Sequence, residues 1–410
     1  MESKTRKELL ELCKERGLRA CSSKTKAELI ELIENGVSNT VIDEGHDYVF
    51  QTMMTCIGNK RKLVKHIYNI ALGVAKTLGK DKLAILDGFA GSGVVSRQLS
   101  LVANKIIAND LELYSYLMCK CYLETPRQED KTKIYAHIDH MNRLAESGPW
   151  FEGGFVAKLY APKNTSAVQH GERCFYTREN AIIIDTLRKY IRDCVEEELQ
   201  VYCLVPLLNR ASIHVNTAGV FKGFYKRDGV GHFGGAGENA LERIMRPIRL
   251  DYPTWSTAEF ESKCYNKNIN EMLVDDIKDG ELDLIYLDPP YNQHPYGSNY
   301  FMLNLIATGE EPEEISKVAG IPVGWNKSDY NSASGAKDAI RELIEVGLLK
   351  SRYILLSYND EGFLTADDWE KLLDGLVVRK HEIRYDTYKG CRNLETRNDK
   401  VMELMYLISR

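Results

Sequence analysis

The chain has 410 residues, 44% of them hydrophobic and 28% charged. Those are globular proportions, which exclude wholesale disorder, and the length exceeds one ordinary domain of ~100–200 residues. With 54 Lys/Arg against 59 Asp/Glu the formal charge is -5, a balance that argues against a nucleic-acid partner until the charges are placed along the chain.

The first 36 residues carry two amphipathic helical patterns, 4–16 and 23–35. Leu9, Leu12 and Cys13 share one face of the first, and Gly17 stands where a C′ glycine ends a helix. Ser22 or Ser23 can cap the second, which carries Leu29, Ile30, Leu32 and Ile33. Lys and Arg outnumber acids across 4–26. The layout Leu9, Leu12, Gly17-Leu18, Lys26, Leu29, Leu32 resembles the SAP module, a helix-extended-helix unit, which implies nucleic-acid binding through the basic first helix and turn. Residues 37–49, polar and poor in apolar side chains, read as a linker.

From residue 50 the pattern becomes α/β. An amphipathic helix is expected over Lys60–Ala75, with buried strands at Leu83–Asp87, Lys105–Ala108, Asp283–Asp288 and Tyr353–Ser357. Strands separated by helices predict a mostly parallel, doubly wound sheet. Residues 112–270 break the alternation and read as an inserted, more helical subdomain, leaving 50–111 and 271–410 as one domain.

The strand ending at Asp87 runs into Gly88-Phe89-Ala90-Gly91-Ser92-Gly93. Glycines there let a ligand approach the backbone at the carboxyl edge of a sheet. No Lys-Ser/Thr follows, so the turn is not a P-loop. Asp110 ends the next strand about 20 residues on, the place where a dinucleotide fold holds ribose hydroxyls. The acid pair Asp275-Asp276 precedes the third strand. A ligand with a ribose but no cradled phosphate is expected.

The third strand runs straight into Asp288-Pro289-Pro290-Tyr291. An exocyclic amine of a nucleobase is a poor nucleophile because its lone pair is delocalised into the ring. The Asp288 carboxylate and the Pro289 carbonyl can each accept one N–H, directing that lone pair outward. Pro289 and Pro290 stiffen the backbone that aims the carbonyl, and Tyr291 offers a face for stacking a base that has left the duplex.

The order Gly58-Asn59-Lys60-Arg61-Lys62-Leu63, Asp87-Gly88-Phe89-Ala90-Gly91-Ser92-Gly93, then Asp288-Pro289-Pro290-Tyr291 resembles the α-group of adenine-N6 DNA methyltransferases of the restriction–modification kind. Asn292–Tyr300, Ser357-Tyr358-Asn359 and Tyr388–Asn393 extend the likeness over about residues 50–410. The resemblance implies an AdoMet-dependent, Rossmann-like methyltransferase fold, with the catalytic set Asp288, Pro289, Pro290 and Tyr291. It places Asn59 and Lys60 near the methionine end of AdoMet. Asp87, Phe89, Ala90, Gly91, Ser92 and Gly93 would lie along methionine and ribose, with Asp110 on the ribose hydroxyls and Asp276 and Ile277 on the cofactor adenine. It gives the insert the task of reading the target sequence. Cys56 departs from the pattern, since relatives commonly carry an aromatic residue there.

Charge segregation supports a DNA partner. Residues 4–26, 209–249 and 379–400 are each net basic, and local potential rather than the total steers binding. Lys222, Lys226 and Arg227, interleaved with Phe221, Phe224 and Phe233 in a glycine-rich stretch, and Arg392 and Arg397 near the end are the expected contacts to double-stranded DNA. A separately acting cognate restriction endonuclease is an expected partner. Cytosine-N4 transfer, an RNA substrate, and a non-catalytic DNA-binding factor are the alternatives. No metal is expected, His137 and His140 reading as surface histidines. The ten cysteines include no CxxC pair, which excludes a zinc ribbon and fits a reducing compartment. The charged start and the lack of a long apolar run predict an intracellular, DNA-associated protein with no membrane partner, in cytoplasm or nucleoid, or in the nucleus of a eukaryotic or viral host.

Overall fold

The computed structural model describes residues 5, 8–9, 26, 48–50, 54, 58, 60–235, 237–386 and 400–410. It divides into two units, Met1–Gln51 and Thr52–Arg410. In the first, the Thr5 N–H and hydroxyl both reach the Glu8 carboxylate (2.6 and 2.8 Å), a helix-start pattern. Leu9 is buried, and Tyr48 and Val49, at the end of the expected linker, are helical and buried; apart from these and Lys26, the SAP-like pattern and the linker fall outside the described residues, as do Asn59, Arg392 and Arg397.

In the second unit, α1 (Val64–Leu78) buries Ile67, Ala71 and Val74 and ends on Gly79, whose φ of 64° suits a residue without Cβ. The helix expected from Lys60 begins four residues later, because 60–63 form a turn. Then come β1 (Leu83–Asp87), α2 (Val94–Ser100) and β2 (Ala103–Asn109). A helical stretch follows: α3 (Leu113–Leu123), α4 (Gln128–Ser147), α5 (Phe155–Tyr160), α6 (Arg178–Cys194) and α7 (Gln200–Ile213). It closes with a short hairpin, β3 (Lys226–Arg227) and β4 (Val230–Gly231), and α8 (Leu241–Met245). The chain returns through β5 (Glu261–Tyr265), α9 (Ile269–Asp275) and β6 (Leu282–Leu287). It ends with α10 (Tyr296–Asn299), α11 (Phe301–Thr308), α12 (Ala336–Lys350), β7 (Ser351–Asn359), α13 (Ala366–Leu372), β8 (Val377–Asp386) and β9 (Lys400–Ser409).

The main sheet has seven strands in the order β5-β2-β1-β6-β7-β9-β8. The first five are parallel, and β9 enters antiparallel between β7 and β8. All six residues of β6 are buried, the mark of a central strand covered on both faces. The mostly parallel α/β sheet expected from sequence is present. One boundary moves. Glu261–Tyr265, which the pattern placed in the 112–270 insert, is an edge strand paired with β2, so the helical insertion ends before residue 261. Its alternating half-exposed residues lack the apolar run that marks a buried strand.

Two apolar clusters among the described residues frame the insert and one face of the sheet. One lies around α9, α12 and α13 against the sheet, from Leu86 to Ile408. The other fills the insert and reaches into α11, joining Phe175, Phe221, Phe224 and Phe233 to Tyr300 and Phe301. Phe221, Phe224 and Phe233, which interleave with the basic residues expected to contact DNA, are buried in this core, while the charged side chains between them stay at the surface.

Asn216 ties the hairpin to this core. It is fully buried; its amide donates to Cys174 O (2.8 Å) and His232 O (2.9 Å), and its oxygen accepts from Gly234 N–H (3.1 Å). Alanine would strand a buried donor and two acceptors. Asn216→Ala is expected to cost about 3 kcal/mol. Thermal unfolding followed by circular dichroism checks this, and a parental midpoint would refute it.

Candidate active site

The site is built at the carboxyl ends of β1, β2 and β6, where strands hand over to loops. After Asp87 the turn is set by backbone bonds: Gly88 N–H to Tyr286 O (2.9 Å), Ala90 N–H to Asn109 O (3.0 Å) and Gly93 N–H to Ala90 O (2.8 Å). Gly91 and Gly93 sit at φ 54° and 75°, where a side chain is strained. A Cβ on Gly88 would lie 2.8 Å from Leu287 Cδ2, whereas one on Gly91 would meet nothing within 4 Å. Gly88 is therefore a packing requirement, and Gly91 faces open space.

That space is a cleft, part of it open to solvent, of the concave kind that takes a small molecule. Phe89, Ala90, Gly91 and Ser92 line it from the turn, Asp110, Leu111 and Glu112 from the end of β2, and Lys60 and Asp288 from its floor. Of the residues singled out from sequence, Lys60, Phe89, Ala90, Gly91, Ser92, Asp110 and Asp288 come together here. Pro290 also faces the cleft, and Tyr291 beside it meets Tyr358 edge to face, ring centroids 6.2 Å apart. Asp87 lies behind the turn, fully buried, accepting from the Ser96 hydroxyl at 2.6 Å. Asp276 and Ile277 do not line the cleft. Asp276 pairs with Lys267 at 2.6 Å, and Ile277 is packed in the sheet-side core.

Electrostatics in the cleft is dominated by acids removed from water. Asp110 Oδ2 accepts Gly91 N–H (2.7 Å) and its Oδ1 accepts Glu112 N–H (2.9 Å). Burial pushes its carboxyl up to about 6 while those N–H groups hold it down. Burial raises Asp87 and Glu112 to about 7. Asp288 is raised above the carboxylate range by burial, against the pull of Lys60. Lys60 Nζ stands 2.8 Å from Asp288 Oδ1 and 3.0 Å from Glu403 Oε1. Burial pulls its ammonium down, but the two carboxylates together push it well above its ordinary value. Lys60 thus lines the same cleft as the glycine turn while paired with Asp288.

Several residues were invisible to sequence reasoning. Glu112 accepts from Asn304 (2.6 Å) and Asn326 (3.4 Å) and helps wall the cleft with Tyr296 and Gly297. A Cβ on Gly297 would sit 2.7 Å from Asn326 O, so α10 can approach this wall only with glycine there. Glu112 follows Asp110 by two residues, and that second acid was the available signal. Glu403 had one as well: it is an acid in the inward phase of an apolar strand, two residues before fully buried Met405.

In the insert, part of the basic charge is paired with acids. Arg210 pairs with Asp251, Arg246 with Glu242, and Arg227 with Glu238 at 3.3 Å, while Arg243 stays charged and donates to Val215 O at 3.0 Å. Lys222 and Lys226 are exposed, Lys226 lying 4.9 Å over the Phe224 ring. The backbone before them is tied to the cleft wall, Phe221 N–H reaching Asn299 O at 2.7 Å. His137 bonds Tyr190 Oη (2.9 Å) and Glu196 (3.1 Å), and His140 stacks on Tyr190. No helix among the described residues is long and apolar enough to cross a membrane.

Comparison with known proteins bears on this arrangement. The chain is 27% identical over 350 residues to the Type II methyltransferase M.NlaIII of Neisseria lactamica, covering 84% of this chain and 94% of that protein. It is 28% identical over 376 residues to Modification methylase StsI of Streptococcus sanguinis, 87% of this chain but 52% of that one. With the Type II methyltransferase M.CviAII of Paramecium bursaria Chlorella virus 1 it shares 27% over 336 residues, 80% and 91% of the two chains. The chain thus spans nearly all of two relatives and about half of the third. The family profile of the D12 class N6 adenine-specific DNA methyltransferases matches residues 57–353, from the turn before α1 into β7 and through the whole cleft. The parallel sheet, the glycine turn and the Asp288 tetrapeptide are therefore those of a sequence-specific DNA-modifying enzyme, and the chain belongs to the D12 class of N6 adenine-specific DNA methyltransferases.

Proposed function

We propose that the cleft holds AdoMet along the glycine turn and presents a flipped-out adenine to Asp288. The observation that carries this reading is the juxtaposition of Asp110, Gly91 and Asp288 in one cleft. The lining fits the cofactor. Gly91 leaves room for a ligand against the backbone. Each Asp110 oxygen accepts one backbone N–H and keeps lone-pair capacity for a ribose hydroxyl. Asp110, Glu112 and Asp288 suit a ligand carrying positive charge, and Lys60 is held by carboxylates. Phe89, Ala90, Gly91, Ser92 and Gly93 would hold its methionine and ribose. Asp276 and Ile277, off the cleft, are not needed for this reading.

When bound, AdoMet supplies a methyl group that leaves sulfur without the bonding electron pair. The chain's own residues prepare the amine. Asp288 accepts one N6–H and the Pro289 carbonyl the other, which turns the lone pair toward the methyl group. Pro290 keeps that carbonyl aimed, Tyr291 supports the base, and the amine's surplus proton passes from Asp288 to solvent. The insert up to about residue 260 reads the target sequence, and the protein works at DNA beside a separately acting cognate endonuclease. Residues 1–36, with their SAP-like pattern, would add sequence-independent affinity for the duplex.

Two measurements test this. Duplex DNA with 2-aminopurine at the target adenine is expected to brighten on binding with AdoMet present, as the base unstacks; methylation without any brightening would refute flipping. Replacing Lys222 and Lys226 together by alanine is expected to weaken DNA binding similarly on target and non-target duplexes. The slope of log K against log salt should fall by about 2, one unit per lost phosphate contact. An unchanged slope would remove both from the interface.

A further inference from the structure

Behind Asp288 lies a buried set of charges that the chemistry above leaves unused. Lys60 is 5% exposed and Glu403 is 0% exposed. The ammonium sits between two carboxylates, 2.8 Å from Asp288 Oδ1 and 3.0 Å from Glu403 Oε1. Glu403 in turn accepts from the Ser357 hydroxyl on the neighbouring strand. The four residues come from the turn before α1, the end of β6, β7 and β9. A carboxylate removed from water is costly unless paired and hydrogen-bonded, and strand β9 has no structural need of one. Its buried partner two residues on is Met405, and a leucine at 403 would fill the same place.

We propose that Glu403, anchored by Ser357, is a positioning residue for methyl transfer: it draws Lys60 toward Oδ1 of Asp288, leaving Oδ2 for the adenine amine. This rests on the reading that Asp288 accepts that amine. A lysine with a single carboxylate partner moves to straddle both oxygens, which would block the acceptor. A second carboxylate 3.0 Å away holds it off-centre. Glu403 also offsets part of the lysine's charge, so Asp288 remains a stronger acceptor than in a simple ion pair. The groups acting on Asp288 are Lys60, Glu403, Asp87 at the end of β1 and Tyr286 on β6.

The test compares full-length parent, Glu403→Gln, Glu403→Asp and, as control, Asp288→Ala, each assayed for kcat across pH at saturating AdoMet and duplex DNA. Glu403→Gln keeps the shape and removes the charge. It is expected to lower kcat ~10- to 100-fold, the scale of a small misplacement at a reacting centre, with KM for AdoMet within about twofold. Its acid limb should move to lower pH, because a negative neighbour of Asp288 is gone. Glu403→Asp keeps the charge one methylene short, so kcat should fall with the limb in place. Parental kcat in Glu403→Gln overturns the proposal, as does a loss of kcat with an unmoved limb and a lowered unfolding midpoint, the signature of mere packing. If the Gln variant does not fold, parental kcat in Glu403→Asp overturns it. An active Asp288→Ala would instead bring down the underlying reading, whereas an inactive one beside a parental Glu403→Gln defeats the positioning role alone.

Discussion

Asp288→Ala is expected to lower kcat for methyl transfer by ~10³-fold or more, with AdoMet affinity changed by less than about threefold. The reason is that the amine needs an acceptor only as its nitrogen becomes a nucleophile, so the interaction is made in the transition state and its loss falls on kcat. The cofactor side of the cleft, Phe89 to Gly93 and Asp110, is set by backbone bonds among β1, β2 and β6 that do not pass through Asp288. The fold should survive as well. Removing a partner from a buried ion pair is destabilising when it abandons a charge, but Lys60 keeps Glu403 at 3.0 Å. Asp288→Asn should retain more activity than alanine, since an amide oxygen still accepts an N–H, although more weakly. Single-turnover transfer of labelled methyl groups to duplex DNA, with calorimetry of AdoMet binding, measures both quantities. Activity within tenfold of the parent would remove Asp288 from the chemistry, and loss of AdoMet binding would make it a structural residue.

The parts of this site that were legible in the sequence are those confined to one strand and the turn at its end. Leu83–Asp87 with its glycines, and Asp283–Asp288 with its prolines, advertise both a strand and the turn that stops it, because apolar runs and φ-restricted residues act locally. The structure brings these two turns into one cleft. Contacts made between distant segments were not legible. Lys60 in a helix-like pattern looks solvent-exposed until the 60–63 turn carries it between Asp288 and Glu403. Glu112 becomes a cleft wall only when Asn304 and Asn326 reach it from about two hundred residues away. The insert misled in the opposite direction. Phe221, Phe224 and Phe233 between basic residues resemble a nucleic-acid surface, yet their area is worth more in a core than in water, while Lys222 and Lys226 beside them stay exposed. The placement of Asp276 and Ile277 on the cofactor came from position alone. Asp276 ends α9, where Lys267 takes its carboxylate.

Asp110→Ala is expected to raise the Kd for AdoMet by ~100-fold, about 3 kcal/mol, the sum of two hydrogen bonds to a charged acceptor. At saturating AdoMet most of the kcat should return, which separates this residue from Asp288. The carboxylate does two jobs at once. Its oxygens hold the Gly91 and Glu112 N–H groups, shaping the turn, and their remaining lone pairs meet the ribose. An asparagine in its place cannot do both, because its NH₂ must face one of those N–H donors; Asp110→Asn should therefore weaken binding nearly as much as alanine. The pH dependence has a definite sign. Burial raises the Asp110 carboxyl to about 6, so the acceptor is present above that pH and lost below it. Parental affinity should be flat from pH 7 to 8 and weaken as pH falls through about 6, approaching tenfold per unit where proton and ribose compete for the same oxygens. The alanine variant has no such group, and its curve should lack this component. Calorimetry of AdoMet binding from pH 5 to 8 without DNA isolates the effect, since Asp288 and the amine are then not engaged. If the Asp110→Ala curve runs parallel to the parent's, another acid sets the slope. Glu112 would be next to test, because burial raises it to about 7 on the same wall of the cleft.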